Sequence, residues 1–94
     1  MSTIDITREH SMTVAQAKKA ATKVAQEIRE AFDVEYEWEG NNLNFRRSGV
    51  DGVISLSKGR VRVQAKLSWL LSAIRGKVET EVQRYLEKEF GKQP

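Results

Sequence analysis

The stretch that decides the fold runs from residue 34 to residue 67 and reads VEYEWEGNNLNFRRSGVDGVISLSKGRVRVQAKL. Apolar and polar residues alternate along most of it, which is the period of a strand with one buried face. Three tight-turn sequences interrupt the alternation, at Gly40-Asn41, Ser48-Gly49 and Lys58-Gly59. The stretch therefore predicts four antiparallel strands joined as a meander.

The register of these strands can be tested on the sequence, because two-residue loops fix which residues face each other. With the three loops above, apolar residues face apolar residues or glycine, and charges face opposite charges: Trp38 with Leu43, Tyr36 with Phe45, Glu35 with Arg46, Arg46 with Asp51, Phe45 with Gly52, Leu56 with Val61, and Ile54 with Val63. A slip of one residue would move each apolar set to the other face. The pattern therefore predicts these pairs.

Helices are predicted on both sides of the meander. The first begins at a capping box formed by Thr13 and Gln16 and carries a stripe of mostly small apolar residues up to Ala31. The second begins near Ser68 and is amphipathic as far as Phe90. We expect a bend at Gly76, or a short helix followed by a longer one, because glycine weakens a helix interior. Gly91 is the predicted C-cap.

Residues 3–8 alternate as a short strand, which we expect at a sheet edge, antiparallel beside the last strand. The element order is then β-α-β-β-β-β-α. It predicts the α+β class: a two-layer sandwich in which both helices cover one face of an antiparallel meander sheet. With no linker and one proline, the last residue, residues 1–94 are expected to form a single domain.

Composition excludes several kinds of site. The absence of cysteine excludes disulfides, thiolate metal sites and a cysteine nucleophile, and the single histidine excludes sites built from several imidazoles. We therefore predict no metal and no cofactor. No apolar run reaches the length of a membrane span and no signal region is evident, so we expect a cytoplasmic protein outside the membrane.

A basic row is the sharpest candidate for a binding site. The chain has a formal net charge of +3, and Arg60, Arg62 and Lys66 share the outward face of the last predicted strand. In the hairpin registers Arg46 takes up the charges of Glu35 and Asp51, so we expect these three cations to be unpaired and available to an anionic partner. The open sheet face and edge are also compatible with a homodimer.

An aromatic group is the second candidate. Tyr36, Trp38 and Phe45 lie on the apolar sheet face, and Trp69 follows the last strand. They are expected either to form the core or to line a pocket for an apolar ligand between sheet and helices. Because this places no aromatic beside the basic row, the pattern argues against base stacking and so against nucleic-acid recognition.

Catalysis has weak support in the sequence. His10 lies near Glu9 and Ser11, but neighbours along the chain do not make a triad, and a structural role is expected. The acidic row at residues 35, 37 and 39 is interpreted as a solvated strand face. No nucleophile, base and orienting group converge, which predicts a protein that is not an enzyme.

Several segments together resemble one bacterial family: IDITREHS at 4–11, AKKAA at 17–21, WEGNNLNF at 38–45, RSGVDGVI at 47–54 and VQAKLSWLLSAIRGKVETEV at 63–82. The chain is similar over about residues 2–90 to the polyhydroxyalkanoic acid system proteins. This resemblance implies a bacterial cytoplasmic protein that is linked to the synthesis or the granules of the storage polyester, as an accessory factor. It supplies no catalytic residues.

Three functions are therefore expected from the sequence. The first is a non-enzymatic accessory protein that contacts a granule-associated protein or the anionic granule surface through Arg60, Arg62 and Lys66. The second is a small carrier that holds an acyl or other apolar ligand between sheet and helices. The third is a weak nucleic-acid-binding domain that uses the same basic row.

Overall fold

The fold has five strands and two helices in the predicted order. The computed structural model describes residues 2–91; Met1 and residues 92–94, the ends of the predicted 1–94 domain, lie outside the described residues. The elements are β1 (Ser2–Glu9), α1 (Val14–Phe32), β2 (Glu35–Glu39), β3 (Asn42–Arg47), β4 (Val50–Ser57), β5 (Arg60–Leu67), a 3-10 helix (Ser72–Ile74) and α2 (Arg75–Phe90).

The strands form one open antiparallel sheet in the order β1-β5-β4-β3-β2. Each of the seven residue pairs predicted from the turn sequences is present, from Trp38 opposite Leu43 to Ile54 opposite Val63. The first strand lies at the edge beside β5, as expected, with Asp5 opposite Gln64. Both helices pack on the apolar face, which confirms the two-layer arrangement.

Helix α1 begins as the sequence predicts. The Thr13 hydroxyl accepts the backbone N–H of Gln16, and the Gln16 side chain accepts the backbone N–H of Thr13, which completes the capping box. The helix ends at Phe32, and its C-cap residue Asp33 has a φ of 55°, in the left-handed region. Its buried face consists mainly of alanine, so the helix axis lies close to the sheet.

The entry into α2 differs from the prediction. Residues 68–71 form a turn, and a 3-10 helix then leads into α2 at Arg75. Gly76 is the second residue of α2, with open space around it, so it does not mark the junction. The predicted short helix followed by a longer one is therefore present, but the junction between the two helices lies between Ile74 and Arg75. Gly91 is the C-cap, as predicted, with an ordinary φ of -80°.

The core lies between the sheet and the two helices. Its members are apolar side chains from α1, α2 and strands β3 to β5, together with Val34 at the start of β2: Ala17, Ala20, Ala21, Val24, Ala25, Ile28, Val34, Leu43, Phe45, Ile54, Leu56, Val61, Val63, Val82, Tyr85, Leu86 and Phe90. Ile4 of β1 and Leu67 of β5 are also buried. The outer sheet face is polar and faces away from the helices.

A carboxyl pair lies between the helices. Glu27 of α1 is within hydrogen-bonding reach of Glu89 of α2, which is buried, and Lys88 Nζ lies 3.3 Å from Glu27 Oε2. Burial and the Glu89 carboxyl raise the pKa of Glu27, against a smaller opposite effect of Lys88. Glu27 Oε1 is buried with no hydrogen-bond partner in the described chain, so a proton between the two carboxyls would satisfy it.

Replacing Ala21 by leucine tests the close approach of α1. Ala21 is fully buried, and a larger side chain has no space there, so we expect Ala21→Leu to lower the free energy of unfolding by about 1–3 kcal/mol. Ala15→Leu, on the exposed side of the same helix, serves as the control and should change stability by less than about 0.5 kcal/mol. Urea denaturation measures both variants. Equal effects would contradict the packing described.

Replacing Glu27 by glutamine tests the carboxyl pair. Because the pKa of Glu27 is raised in the folded state, the folded protein holds the proton more tightly than the unfolded chain. This group therefore makes the free energy of unfolding fall as pH rises from about 4 toward neutral. We expect the stability of Glu27→Gln relative to wild type to increase over that range in urea titrations. The control Glu30→Gln, on the exposed face of α1, should follow wild type; a Glu27→Gln curve parallel to wild type would refute the pair.

Candidate functional site

The basic row has the position that the sequence predicts. Arg60, Arg62 and Lys66 are exposed on the outer face of β5, opposite the helices. Their spacings of two and four residues along a strand place them on one face, while Val61 and Val63 between them point into the core. The face itself is thus as expected.

The prediction that all three cations are unpaired is wrong for the two arginines. Arg62 donates from Nε to Asp5 Oδ1 at 3.0 Å and from Nη2 to Asp5 Oδ2 at 2.7 Å, a bidentate pair. Arg60 Nη2 lies 3.9 Å from Glu9 Oε1. Both acids come from β1, whose outward residues stand beside those of β5. The guanidinium of Arg62 lowers the pKa of Asp5, so this carboxyl is ionised at neutral pH.

Lys66 has no such partner. Within residues 2–91 it makes no ion pair, although it faces Thr3 on one side and Asp51 on the other across the sheet. The predicted three-cation site is therefore reduced to one free cation at the end of β5, among the described residues.

The rest of the outer face is mostly polar, and it becomes acidic toward the β2 edge of the sheet. Its central rows contain Asn44, Val53, Ser55 and Gln64, and the row of Glu35, Glu37 and Glu39 is exposed on the outermost strand β2, as predicted. No aromatic side chain is on this face in residues 2–91, which agrees with the sequence-based argument against base stacking. Within the same range, no three His, Asp or Glu side chains gather where they could hold a metal ion.

The aromatic group does not line one pocket. Trp38 is half-buried and donates from Nε1 to Thr22 Oγ1 at 3.3 Å, and Tyr36 packs 6.3 Å from the Phe45 ring. Trp69 is 75% exposed. The expected lining by all four is therefore wrong, because the chain leaves the sheet after Leu67 and carries Trp69 away from the core.

An apolar cavity does exist between the sheet and the helices. It has a volume of about 70 Å³, and its lining includes Phe32, Phe45, Leu67, Leu71 and Val78. Of the predicted aromatic residues only Phe45 contributes. Binding sites for small organic ligands are typically about 300–1,000 Å³, so an acyl chain would fit only if the helices moved away from the sheet.

His10 has a structural environment. Its Nδ1 accepts the backbone N–H of Met12 at 3.1 Å, and its ring packs against Phe90 with centroids 5.3 Å apart. The backbone N–H of His10 donates to Gly59 O at 3.0 Å, which ties the connection before α1 to the β4–β5 turn. Nε2 is buried without a partner in the described chain, so the ring is enclosed rather than presented to a substrate.

Three large apolar side chains are exposed at the connection between β5 and α2. Trp69 is 75% exposed, Leu70 68% and Ile74 42%. We call these three residues the Trp69 corner. Sequence reasoning placed Trp69 in the aromatic group and did not single out Leu70.

Two backbone hydrogen bonds and the inward side chain of Leu71 hold the Trp69 corner in place. The backbone N–H of Ser68 donates to Gly49 O at 2.9 Å, and that of Leu71 donates to Ser68 O at 3.0 Å. Leu71 turns inward and lines the apolar cavity, while Trp69 and Leu70 project outward. The half-buried Leu71 and a hydrogen bond to the β3–β4 turn thus fix two exposed apolar residues on a defined turn.

Cations flank the Trp69 corner. Residues 52–78 contain six lysines and arginines and no aspartate or glutamate: Lys58, Arg60, Arg62, Lys66, Arg75 and Lys77. Arg75 is engaged with Glu79, at 3.6 Å, and with the Thr3 carbonyl oxygen. Lys77 is exposed and, like Lys66, makes no ion pair within residues 2–91. This acid-free run is the signal in the sequence that could have directed attention to the corner.

Replacing Gly49 by alanine tests the support of the corner. Gly49 has a φ of +84°, and a Cβ there would lie 2.9 Å from Ser68 Oγ and 3.1 Å from Leu71 Cδ1. Gly40 also has a positive φ, +62°, but has open space around it, so Gly40→Ala is the matched control. Backbone strain lowers the free energy of unfolding of both variants by about 1–3 kcal/mol. We expect a further loss, and a changed Trp69 fluorescence, in Gly49→Ala alone. Identical behaviour of the two variants would contradict the contact.

A comparison with known protein families identifies a match for this chain. The family described as "Putative polyhydroxyalkanoic acid system protein" matches residues 4–90. Neither the curated proteins nor the solved structures contain a significant match. Among residues 2–91, neither helix combines the length and apolarity needed to cross a membrane. Because the family matches nearly the whole chain, as the sequence segments predicted, the protein belongs to the polyhydroxyalkanoic acid system protein family.

Proposed function

We propose that this chain is a non-enzymatic accessory protein that binds to polyhydroxyalkanoate granules in the cytoplasm, either at their surface or through a protein on it. Family membership supports the association with the polyester-storage system. The observation that carries the binding role is the Trp69 corner, where two large apolar side chains are mostly exposed and the free cations Lys66 and Lys77 are close in sequence. Exposed apolar patches of this kind are typical of interaction sites.

The corner is a better contact than the basic row predicted from sequence. Arg60 and Arg62 already pair with acids of β1, so a partner would have to compete for them. Exposed pairs of this kind are weak, and competition is feasible, but it reduces what each arginine contributes. Lys66 belongs to the basic row and also lies close to the Trp69 corner in sequence, so it is the part of the predicted row that we retain.

The energetics favour an apolar anchor. Burial of a large apolar side chain contributes about 1.5–3 kcal/mol, so Trp69 and Leu70 together contribute about 3–6 kcal/mol before the entropic cost of association. Leu71 and the Ser68 hydrogen bond already order the turn. Little further ordering is then needed on binding, which preserves most of this contribution.

The other functions expected from sequence have less support. The cavity of about 70 Å³ is too small for the proposed acyl ligand without a rearrangement of the helices. For nucleic acid, a single exposed tryptophan is not the series of stacking surfaces that single-strand binding uses. We therefore retain the granule-binding role as the proposal.

Co-sedimentation with native granules tests the proposal. Wild-type protein should sediment with granules, and Trp69→Ser/Leu70→Ser should bind at least about tenfold more weakly, because the variant loses both apolar anchors. Val14→Ser is the matched control, since Val14 is an exposed apolar residue, 42% accessible, at the start of α1. It should bind like wild type.

A second pair of variants separates the corner from the basic row. Lys66→Gln/Lys77→Gln should weaken granule binding more than Arg60→Gln/Arg62→Gln, although both remove two positive charges. Absence of wild-type binding would refute the proposed function. Full binding by Trp69→Ser/Leu70→Ser, or a stronger loss in the arginine variant, would refute the assignment to the corner.

A further inference from the structure

We infer that the Trp69 corner binds an anionic phospholipid surface, with Trp69 and Leu70 inserted among the headgroups and Lys66 and Lys77 against their phosphates. The inference rests on the proposed function, because it takes the corner as the granule contact, but it names the chemistry of the partner. Vesicles that contain no granule component test it, so the lipid inference and the proposed function can fail separately.

The shape of the corner favours a soft surface. Trp69 and Leu70 are adjacent in a turn that projects beyond the end of β5, and neither lines the apolar cavity beneath. A projecting pair can enter a lipid interface by displacing headgroups, whereas a protein partner would need a cavity of matching shape. Tryptophan in particular prefers the boundary between water and lipid, because its ring is apolar and its N–H is polar.

The charge around the corner favours an anionic surface. The corner lies within the run of residues 52–78, which contains six cations and no acid. Lys66 and Lys77 are exposed on either side of it in sequence. The nearest acids across the sheet and along α2 are Asp51, opposite Lys66, and Glu79, which Arg75 engages. Anionic lipid attracts basic residues near apolar anchors, by about fivefold in affinity for each cation close to the surface.

The positions of the acidic residues indicate which side of the molecule would face an anionic surface. The row of Glu35, Glu37 and Glu39 lies on β2, at the opposite edge of the sheet from β1 and β5. An anionic surface would repel this row and attract the free lysines near the corner. Glu35 shares a cross-strand row with Lys66, with Arg46 and Asp51 between them, whereas Glu37 and Glu39 lie farther from the corner along β2. Repulsion of the acidic row and attraction of the lysines therefore turn the β5 side of the sheet, rather than its β2 edge, toward the lipid.

Tryptophan fluorescence with vesicles tests the inference. The chain has two tryptophans, and Trp38→Phe leaves Trp69 as the only reporter. With phosphatidylcholine vesicles that contain about 30% phosphatidylglycerol, we expect a blue shift of Trp69 emission and binding that weakens with salt. Pure phosphatidylcholine should bind at least about tenfold more weakly. Wild type should show the shift and Trp69→Phe should not, which keeps the test valid if Trp38→Phe folds poorly.

Charge variants provide the matched comparison. Lys66→Gln/Lys77→Gln should lower the partition coefficient on anionic vesicles by at least about tenfold. Lys19→Gln/Lys23→Gln removes the same charge from the exposed surface of α1 and should lower it much less. Equal losses in the two variants would show attraction by net charge only and would overturn the inference.

Two further results would overturn the inference. Absence of a Trp69 shift with anionic vesicles, when native granules do bind the protein, would assign the corner to a granule protein and leave the proposed function intact. A blue-shifted Trp69 in free protein that sediments as a dimer would assign the corner to a second copy of this chain. Binding to neither vesicles nor granules would refute both proposals.

Discussion

The register of β5 is the constraint on which the rest of the structure depends. This strand is paired on both sides, with β1 and β4, so its alternation decides which side chains of three strands face the helices. Leu67 is its last inward residue. After Leu67 the chain passes from the sheet layer to the helix layer. The Trp69 corner is the exposed part of this connection. The core and the candidate site thus follow from one register.

Much of the fold could be predicted because local signals agreed. Each hairpin has a turn sequence and an apolar alternation that specify the same pairs, so the registers of β2 to β5 were determined by neighbouring residues. The capping box of α1 is equally local. The pairing of Arg62 with Asp5 was not accessible in this way, because it depends on the register of β1 on β5, and no turn joins those two strands.

The candidate site was harder to predict for a related reason. Trp69 follows Leu67 with the spacing of the next inward strand residue, so the sequence pattern placed it in the core. Its exposure depends on the turn that begins at Ser68, and a hydrogen bond to the distant residue Gly49 holds that turn. Leu71, two residues later, takes the inward position instead. Only the acid-free run around the corner was visible in the sequence, and it indicates charge rather than exposure.

Side-chain footprinting of the granule-bound protein tests most directly whether the Trp69 corner contacts the granule. Hydroxyl radicals oxidise accessible side chains, so Trp69 and Leu70 should be oxidised rapidly in the free protein. On granules their oxidation should fall several-fold, while that of Val14 at the start of α1 stays unchanged. Unchanged oxidation of Trp69 in protein that is bound to granules would contradict the central claim.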